Sequence, residues 1–366
     1  MTGVKTVLIA GGGTGGHLMP ALAIAEAVRG RHPDWRVVLA GASRGVEARL
    51  LPERTFPFHL LPFEPIYRRQ WWKNIKWPWL AVRLVGLVRG LLDREQPDLV
   101  LGTGGYASGP IVWAATRRGI PTAILEQDAF PGLVTRWLAP RVREVYLGAP
   151  EASALLRPGP GTRVVFTGSP IVPPSFERRA TALAGFGLVP GRPVVVVMGG
   201  SQGSLAINQL IGEWLELGVT SGLTLLWATG QTTFESFRRW HAPPYVQVVE
   251  FLDPVADAYA VADLVVCRAG MMTIAELAAW GLPTVLIPLP TAAADHQTKN
   301  AAAMVSAGAA VLLRQEGLDA KTLGRTITDL LGDRPRLAGL AAAARRRGRP
   351  GAVAEIVESL ERLLQA

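Results

Sequence analysis

The sequence predicts an α/β protein built from two Rossmann-like domains, each with a parallel sheet covered by helices on both faces. Short apolar runs rich in branched residues alternate with helix-compatible stretches along most of the chain, a pattern typical of parallel sheets. The pattern starts again near Gly168, and each half opens with a strand, a glycine-rich loop and a helix. At 366 residues the chain is long for one core, so two domains are expected.

The predicted strands form two series separated by a linker. Those of the first half are residues 7–10, 37–40, 99–102, 122–125 and 145–147, and those of the second are residues 194–198, 223–228, 246–249, 264–266 and 284–287. Residues 167–176 contain three prolines and are typical of a linker. Ligands of such folds bind beyond the carboxyl ends of the strands, so we expect a central cleft that both sheets face.

The composition restricts the class of protein. Cys267 is the only cysteine, which excludes an intramolecular disulfide framework and suits a reducing cytosol. We find no secretory signal at the start and no run of about 18 uncharged apolar residues that would span a bilayer. The net charge of +9 fits nucleic acid, anionic lipid or a phosphorylated substrate.

The first glycine loop, Gly11 to Gly16, has the spacing of a dinucleotide-binding loop. The second predicted strand is followed by Gly41-Ala42-Ser43-Arg44 and lacks the carboxylate that would hold an NAD ribose, although Arg44 leaves NADP open. A P-loop signature is absent from both halves. Glycines that only permit a tight turn remain an alternative for one loop, but two loops that each precede a helix favour binding of phosphate groups.

The second half carries a denser group of polar residues between Cys267 and Asn300. Glu276, one turn inside a predicted helix, is placed to accept two ribose hydroxyls, or only to complement the helix dipole. Gln297 and Asn300 would share one face of the next helix, where their amides could bind sugar hydroxyls or cap and solvate the helix.

Together these stretches resemble the MurG family, the peptidoglycan glycosyltransferases that add N-acetylglucosamine to a lipid-linked muramyl-pentapeptide. The matching segments, in the order and spacing of the family, are GGGTGGHLMPALAIA (11–25), GTGGYASGP (102–110), EQDAFPGLVTRWLA (126–139), GGSQGSLAIN (199–208), CRAGMMTIAELAAWGLPTVLIPLP (267–290) and DHQTKNAAAM (295–304).

The resemblance implies a GT-B fold and an inverting transfer from UDP-GlcNAc to the 4-hydroxyl of undecaprenyl-pyrophosphoryl-MurNAc-pentapeptide. It implies no metal or other cofactor and a peripheral location at the cytoplasmic face of the bacterial inner membrane. We expect no nucleic-acid partner, because no recognised nucleic-acid-binding module accompanies the basic segment of the chain. Residues 1–166 would form the acceptor and membrane side and residues 167–340 the donor side. Residues 341–366 would form a C-terminal helix that packs back on the first domain.

The resemblance also implies roles for individual residues. Ser201 would lie near the donor phosphates, the backbone of Leu252 would contact uracil, Glu276 would bind ribose and Gln297 the donor sugar. The full implied donor set is Thr14, Gly15, Gly16, Asp128, Ser201, Leu252, Met271, Met272, Thr273, Ile274, Ala275, Glu276 and Gln297. The implied acceptor set is Gly13, Thr14, Gly104, Gly105 and Tyr106.

Two positions depart from the family pattern. Asp128 stands where the family commonly has asparagine, and a carboxylate cannot donate as an amide does. Val172 stands where an arginine is expected near the donor phosphates, so helix N-termini or another cation such as Arg268 would have to carry more of the diphosphate charge.

The transfer needs a general base for the acceptor hydroxyl. His17 closes the first loop and has an ordinary pKa near neutrality, although it could instead be structural and cap the helix. Glu126 is the second candidate, as a base or as a residue that orients His17. The sequence has no Asp-x-Asp pair of the kind that holds a metal in other glycosyltransferases.

Residues 67–92 combine tryptophans with cations and contain no acid. Indoles favour the lipid headgroup layer and cations favour anionic lipid, so we predict a peripheral membrane surface; a core helix with a solvated basic edge is the alternative. The predicted membrane residues are Trp71, Trp72, Lys73, Lys76, Trp77 and Trp79.

Two other functions stay open from the residues. A UDP-GlcNAc 2-epimerase would share the two-domain plan, but the tryptophan-rich segment and the 102–110 loop count against it. An NADP-dependent oxidoreductase is disfavoured because no carboxylate follows the second strand.

Overall fold

The computed structural model describes residues 4–64, 72, 75, 77–200, 202–218 and 222–365. The chain divides into two compact units. The first extends to Ile171 and takes in the chain from Gly351 onward, and the second extends from Val172 to Pro350. Each unit contains one parallel sheet with helices on both faces, so the predicted fold class of two parallel α/β sheets is confirmed.

The first unit is built on a seven-stranded sheet in the order β3-β2-β1-β4-β5-β6-β7. Its strands are β1 (Thr6–Ala10), β2 (Arg36–Ala42), β3 (Phe58–Leu61), β4 (Leu99–Gly102), β5 (Thr122–Glu126), β6 (Glu144–Leu147) and β7 (Arg163–Phe166). Its helices are α1 (Gly15–Arg31), α2 (Val46–Leu50), α3 (Trp77–Glu95), α4 (Gly105–Arg117), α5 (Leu133–Leu138) and α14 (Ala352–Gln365).

The second unit is built on a six-stranded sheet in the order β10-β9-β8-β11-β12-β13. Its strands are β8 (Val194–Met198), β9 (Thr224–Ala228), β10 (Val246–Val249), β11 (Leu264–Cys267), β12 (Thr284–Leu286) and β13 (Val311–Leu312). Its helices are α6 (Arg179–Gly185), α7 (Leu205–Glu216), α8 (Phe234–Phe237), α9 (Val255–Val261), α10 (Met271–Trp280), α11 (His296–Ser306), α12 (Ala320–Gly332) and α13 (Arg334–Arg347).

The central strand β1 shows why the first sheet needs helices on both faces. All five of its residues are buried, and successive side chains point to opposite faces. Leu8 packs into the hydrophobic cluster with α3 and α4, whereas Val7 and Ile9 pack into the cluster with α1 and α14. Burial on both faces is what the uninterrupted apolar run of this strand requires.

The last helix, α14, belongs to the first unit. Its residues Ile356, Val357 and Leu360 are buried in the cluster that contains β1. Ser359 donates to the carboxylate of Glu144 on β6, and Arg163 pairs with the same carboxylate. Residues 341–350 lie instead in the second unit, because α13 packs on α10.

Within the described ranges, no helix combines the length and the apolar character needed to cross a lipid bilayer.

Candidate active site

The loop between β1 and α1 is held by a buried carboxylate. Gly12 and Gly13 have positive φ values of 146° and 94°, a region that favours glycine. The fully buried Glu47 of α2 accepts hydrogen bonds from the backbone N–H of Gly13 and, at 3.2 Å, of Ala42. A Cβ atom at Gly12 would overlap Glu47 Oε1, so both the glycine and the carboxylate fix the shape of this loop.

His17 lies half-buried in the first turn of α1, next to the ends of β4 and β5. Thr103 Oγ1 donates to the His17 carbonyl at 2.9 Å, and Gln127 Nε2 lies 3.4 Å from His17 Nδ1. A Cβ atom at Gly104 would approach Nδ1 to 2.6 Å. The imidazole therefore has a defined place between three loops of the first sheet.

The loop after β4 contacts the loop after β1. Gly104 and Gly105 have positive φ values of 98° and 77°. A Cβ atom at Gly105 would overlap the carbonyl oxygen of Gly12, and one at Gly13 would collide with the Tyr106 ring. The structure thus brings together the residues assigned to the acceptor, with the half-buried Tyr106 as a wall beside Gly13.

Glu126 ends β5 and organises the loop that follows it. The backbone N–H of Asp128 donates to Oε1 at 3.1 Å, and that of Gly132 donates to Oε2 at 2.9 Å. Burial raises the pKa of Glu126 to about 7, and the negative charge of Asp128 adds to this rise. The carboxylate is buried, whereas Asp128 is half-buried.

In the second unit a cavity of about 540 Å³ lies at the carboxyl ends of β8 and β11. The first turns of α7 and α10 border it, and neither turn contains an acidic residue. Helix N-termini carry partial positive charge, so this cavity is suited to an anion. Residues of its lining include Gly199, Ser204, Arg268, Gly270, Thr273 and Gln297.

Arg268 is the cation of this cavity. Its Nη2 donates to Ser204 Oγ at 2.8 Å, and its Nη1 donates to the carbonyls of Ile287 at 3.1 Å and Pro288 at 3.0 Å. Burial lowers the pKa of Arg268, but a guanidinium stays charged at neutral pH. Val172, where an arginine was expected, is exposed.

Gln297 is oriented by the backbone. Its Oε1 accepts from the N–H groups of Ala269 at 3.2 Å and Leu289 at 2.9 Å, so the side chain presents its NH₂ group as a donor. Asn300 is fully buried, and its amide donates to the Ala269 carbonyl at 3.3 Å. Of the two amides, Gln297 lines the cavity and Asn300 ties α11 to the loop after β11.

Glu276 lies on α10 and receives a hydrogen bond of 2.7 Å from the Tyr259 hydroxyl. Burial raises the pKa of Glu276, whereas the hydrogen bond from Tyr259 lowers it. Among its neighbours, Thr273 lines the cavity, while the side chains of Met271 and Ile274 are buried. Met272 and Ala275 are half-buried, and Leu252 is buried after β10.

The described residues contain no group of three or more His, Cys, Asp or Glu side chains that could hold a metal ion. Ser201, expected near the donor phosphates, lies outside the described residues.

Comparison with known proteins identifies the family. Residues 7–147 match the glycosyltransferase family 28 N-terminal domain, and residues 194–356 match the glycosyltransferase family 28 C-terminal domain. The chain belongs to glycosyltransferase family 28. The two domain models together cover most of both units of this glycosyltransferase, including the loops after β1 and β8.

Two curated relatives of this family 28 glycosyltransferase are named UDP-N-acetylglucosamine–N-acetylmuramyl-(pentapeptide) pyrophosphoryl-undecaprenol N-acetylglucosamine transferase. The protein from Carboxydothermus hydrogenoformans is 39% identical, with 98% of each chain covered. That from Syntrophotalea carbinolica is 41% identical, with 96% of this chain and 97% of the relative covered. The crystal structure of Acinetobacter baumannii MurG superposes with a TM-score of 0.79 at 27% identity, covering 98% and 99% of the two chains. The MurG resemblance is therefore confirmed.

Three polar residues of this family 28 glycosyltransferase were not predicted from the sequence. Glu47 accepts a hydrogen bond from the first glycine loop, Gln127 contacts His17, and the Tyr259 hydroxyl donates a hydrogen bond to Glu276. Gln127 directly follows Glu126 at the carboxyl end of a predicted strand, where ligand-binding residues of such folds lie, so the sequence could have indicated it. Glu47 and Tyr259 act through contacts with residues distant in the sequence, and no local pattern marks them.

Proposed function

We propose that the protein transfers N-acetylglucosamine, with inversion, from UDP-GlcNAc to the 4-hydroxyl of undecaprenyl-pyrophosphoryl-MurNAc-pentapeptide. The observation that carries the proposal is the cavity where α7, α10 and Arg268 converge without an acidic residue in either first turn. It offers main-chain N–H groups and one guanidinium to a diphosphate. The names of the two relatives supply the substrates.

The donor binds to the second unit in this proposal. Its diphosphate lies against the N-termini of α7 and α10, and Arg268 compensates part of the charge that arginine at position 172 would have compensated. The carboxylate of Glu276 accepts hydrogen bonds from the ribose hydroxyls. Gln297 donates its NH₂ group to the sugar, because its oxygen is already occupied by backbone N–H groups.

The acceptor binds to the first unit. The loop from Gly13 to Gly16 and the N-terminus of α1, which has no acid in its first turn, bind its diphosphate. Gly104, Gly105 and Tyr106 form the neighbouring wall. Gly13, Gly104 and Gly105 are needed here because a Cβ atom at any of them would collide with a neighbouring residue of the two loops.

His17 is the proposed general base. It is half-buried, whereas both carboxylate oxygens of Glu126 already accept backbone N–H groups. The base removes the proton of the acceptor 4-hydroxyl while its oxygen attacks the anomeric carbon, and UDP leaves with the bonding electron pair. Main-chain N–H groups and Arg268 stabilise the departing diphosphate, without a metal ion.

The Gln127 contact sets a condition for this role. For Nε2 of His17 to accept a proton, the neutral ring must carry its hydrogen on Nδ1. In the present arrangement Gln127 Nε2 lies 3.4 Å from Nδ1 and donates to the Thr103 carbonyl at 3.4 Å. An amide rotated by 180° would present its oxygen to Nδ1–H and stabilise that tautomer.

Helix α3 supports docking to anionic lipid at the cytoplasmic face of the bacterial inner membrane. It buries Leu84 and Val88 but leaves Trp79 and Val82 exposed at 74% and 75%. Trp72 just before the helix is 54% exposed. A core helix would not leave these side chains in water. The predicted residues Trp71, Lys73 and Lys76 lie outside the described residues, as does the side chain of Trp77.

The decisive experiment incubates the protein with UDP-GlcNAc and a short-chain lipid-linked muramyl-pentapeptide. UDP release that requires the acceptor, at a rate unchanged by a chelator, supports the proposal. Conversion of the donor sugar without acceptor would instead indicate an epimerase. Loss of the rate on chelation would contradict the metal-free mechanism.

A further inference from the structure

The second unit contains another cavity, of about 750 Å³, which lies at the amino ends of its strands and is called the rear cavity below. Its lining includes Pro193, Asp263 and Pro283, which directly precede β8, β11 and β12. The proposed donor cavity lies at the carboxyl ends of the same strands. The two cavities are therefore distinct, and the proposed reaction does not use this one.

One wall of this rear cavity is a single face of α13. Arg334, Leu337, Ala338, Ala341 and Arg345 all line it, at spacings of three, four, seven and eleven positions from the first. At about 3.6 residues per turn these positions fall on one side of the helix. Two arginines thus stand at the ends of an apolar strip, three helical turns apart.

A glycine makes room for one of these arginines. Gly281, at the end of α10, has a positive φ of 67°. A Cβ atom there would overlap the Arg345 side chain, which crosses directly over the glycine. The aliphatic part of Arg345 therefore lies against Gly281, and Arg345, which is exposed as a whole, lines the cavity.

The lining carries an excess of positive charge. It contains Arg179, Arg192, Arg334 and Arg345 against one carboxylate, Asp263. Asp263 is already neutralised, because Arg179 Nη2 donates to both its oxygens, at 3.0 and 3.1 Å. Among the described residues, Arg334 and Arg345 form no ion pair. Two unpaired guanidinium groups at one cavity favour binding of phosphate or carboxylate.

The remaining wall is apolar and partly aromatic. The Phe176 ring meets Trp280 edge-on with centroids 5.3 Å apart, and Leu282 and Leu331 continue the surface. Phe176 lines the cavity and is exposed. Cavities of this size with apolar walls and a few placed charges are typical of sites for small organic ligands.

We propose that this rear cavity binds a small anionic amphiphile, with one phosphate or carboxylate head and an apolar body. The head group pairs with one of the two arginines at the ends of the strip, and the body contacts the apolar residues of α13 between them and the Phe176–Trp280 wall. Neither guanidinium pairs with a carboxylate in the part of the chain that the structure describes, so the ligand supplies the missing negative charge.

The test uses the full-length protein with carbon-13-labelled leucine methyl groups. Octyl phosphate is titrated as the probe, with octyl glucoside and inorganic phosphate as the neutral and the headgroup-only comparisons. We expect saturable shifts at Leu331 and Leu337 with octyl phosphate, and at least tenfold weaker binding of the other two compounds. Equal binding of octyl glucoside or of inorganic phosphate would overturn the proposal.

A pair of double variants tests the arginines. Arg334→Gln with Arg345→Gln is expected to weaken octyl phosphate binding at least tenfold. Arg336→Gln with Arg346→Gln makes the same charge change on exposed positions of α13 that do not line the cavity, and should bind as the wild type does. Equal affinity of the two double variants, both with wild-type methyl spectra, would overturn the proposal.

Dihexanoyl-phosphatidylglycerol distinguishes the two sources of such an anion. If this phosphodiester shifts Leu331 and Leu337 as strongly as octyl phosphate, the cavity binds a lipid headgroup. If only the monoester binds, the ligand is a soluble phosphate ester. Both results support the site, whereas binding of either compound that survives in the Arg334 and Arg345 double variant contradicts it.

Discussion

Glu126 should titrate near neutral pH, and this can be tested directly. Burial raises its pKa from 4.5 to about 7, although two backbone N–H groups donate to the carboxylate. The difference corresponds to about 3 kcal/mol at about 1.36 kcal/mol per pH unit. Asp128 contributes through repulsion, so Asp128→Asn is expected to lower the pKa of Glu126.

The sign of the effect on stability follows from the proton affinity. The folded chain holds the Glu126 proton more tightly than the unfolded chain, so protonation favours folding. This contribution is complete below about pH 4.5 and is lost as the pH rises to about 7. Glu126→Gln stays neutral and should not show this loss, although one of the two loop N–H groups loses its acceptor to the amide NH₂ group.

Two measurements check this reasoning. Carbon-13 NMR of labelled glutamate carboxyl groups should show one resonance that titrates near pH 7 and is absent from Glu126→Gln. Hydrogen exchange of residues 127–135, corrected for intrinsic rates, should show opening that becomes easier between pH 5 and 7.5 only in the wild type. A Glu126 resonance that titrates near 4.5, or the same pH dependence in both proteins, would refute the role assigned to burial.

Three further outcomes are expected. His17→Ala should lower kcat at least about 100-fold while UDP affinity by calorimetry changes little, as expected for a general base; unchanged turnover would exclude that role. Arg268→Gln should weaken UDP binding about tenfold or more in the same calorimetric assay, because the cavity loses its guanidinium; unaltered affinity would leave the diphosphate to the helix N-termini alone. Trp72→Ala with Trp79→Ala should reduce co-sedimentation with anionic liposomes, whereas Leu217→Ala, an exposed apolar residue of the second unit, should not; equal binding by all three proteins argues against a membrane surface.

The central strands were predictable because burial on both faces leaves a local signature. In β1 and β8 every residue is buried; β8 is a continuous apolar run, and so is β1 from Val7 onward. The edge strands β3, β7 and β13 were not predicted. Their residues are mostly half-buried, and β13 has only two residues, so hydrophobicity alone does not distinguish them from loops.

The glycine loops were also predictable from a local signature, but the polar side chains that hold them, such as Glu47, were not. Positive φ values favour glycine at positions 12 and 13, so the run of glycines in the sequence indicates the loop directly. Glu47 is fixed by a fold that brings α2 under a loop 34 residues earlier in the chain. The hydrogen-bond donors to Glu47 are backbone N–H groups, which every residue except proline has. The sequence therefore contains no particular residue that would mark them as partners of Glu47.

The position of α14 determines when each part of the chain can fold during synthesis. Residues 172–350 form one continuous unit and can complete their core once they have left the ribosome. The first unit, although translated earlier, lacks Ile356, Val357 and Leu360 until the final helix emerges. The half that is made first is therefore finished last, and an incomplete nascent chain exposes the apolar surface that α14 will cover.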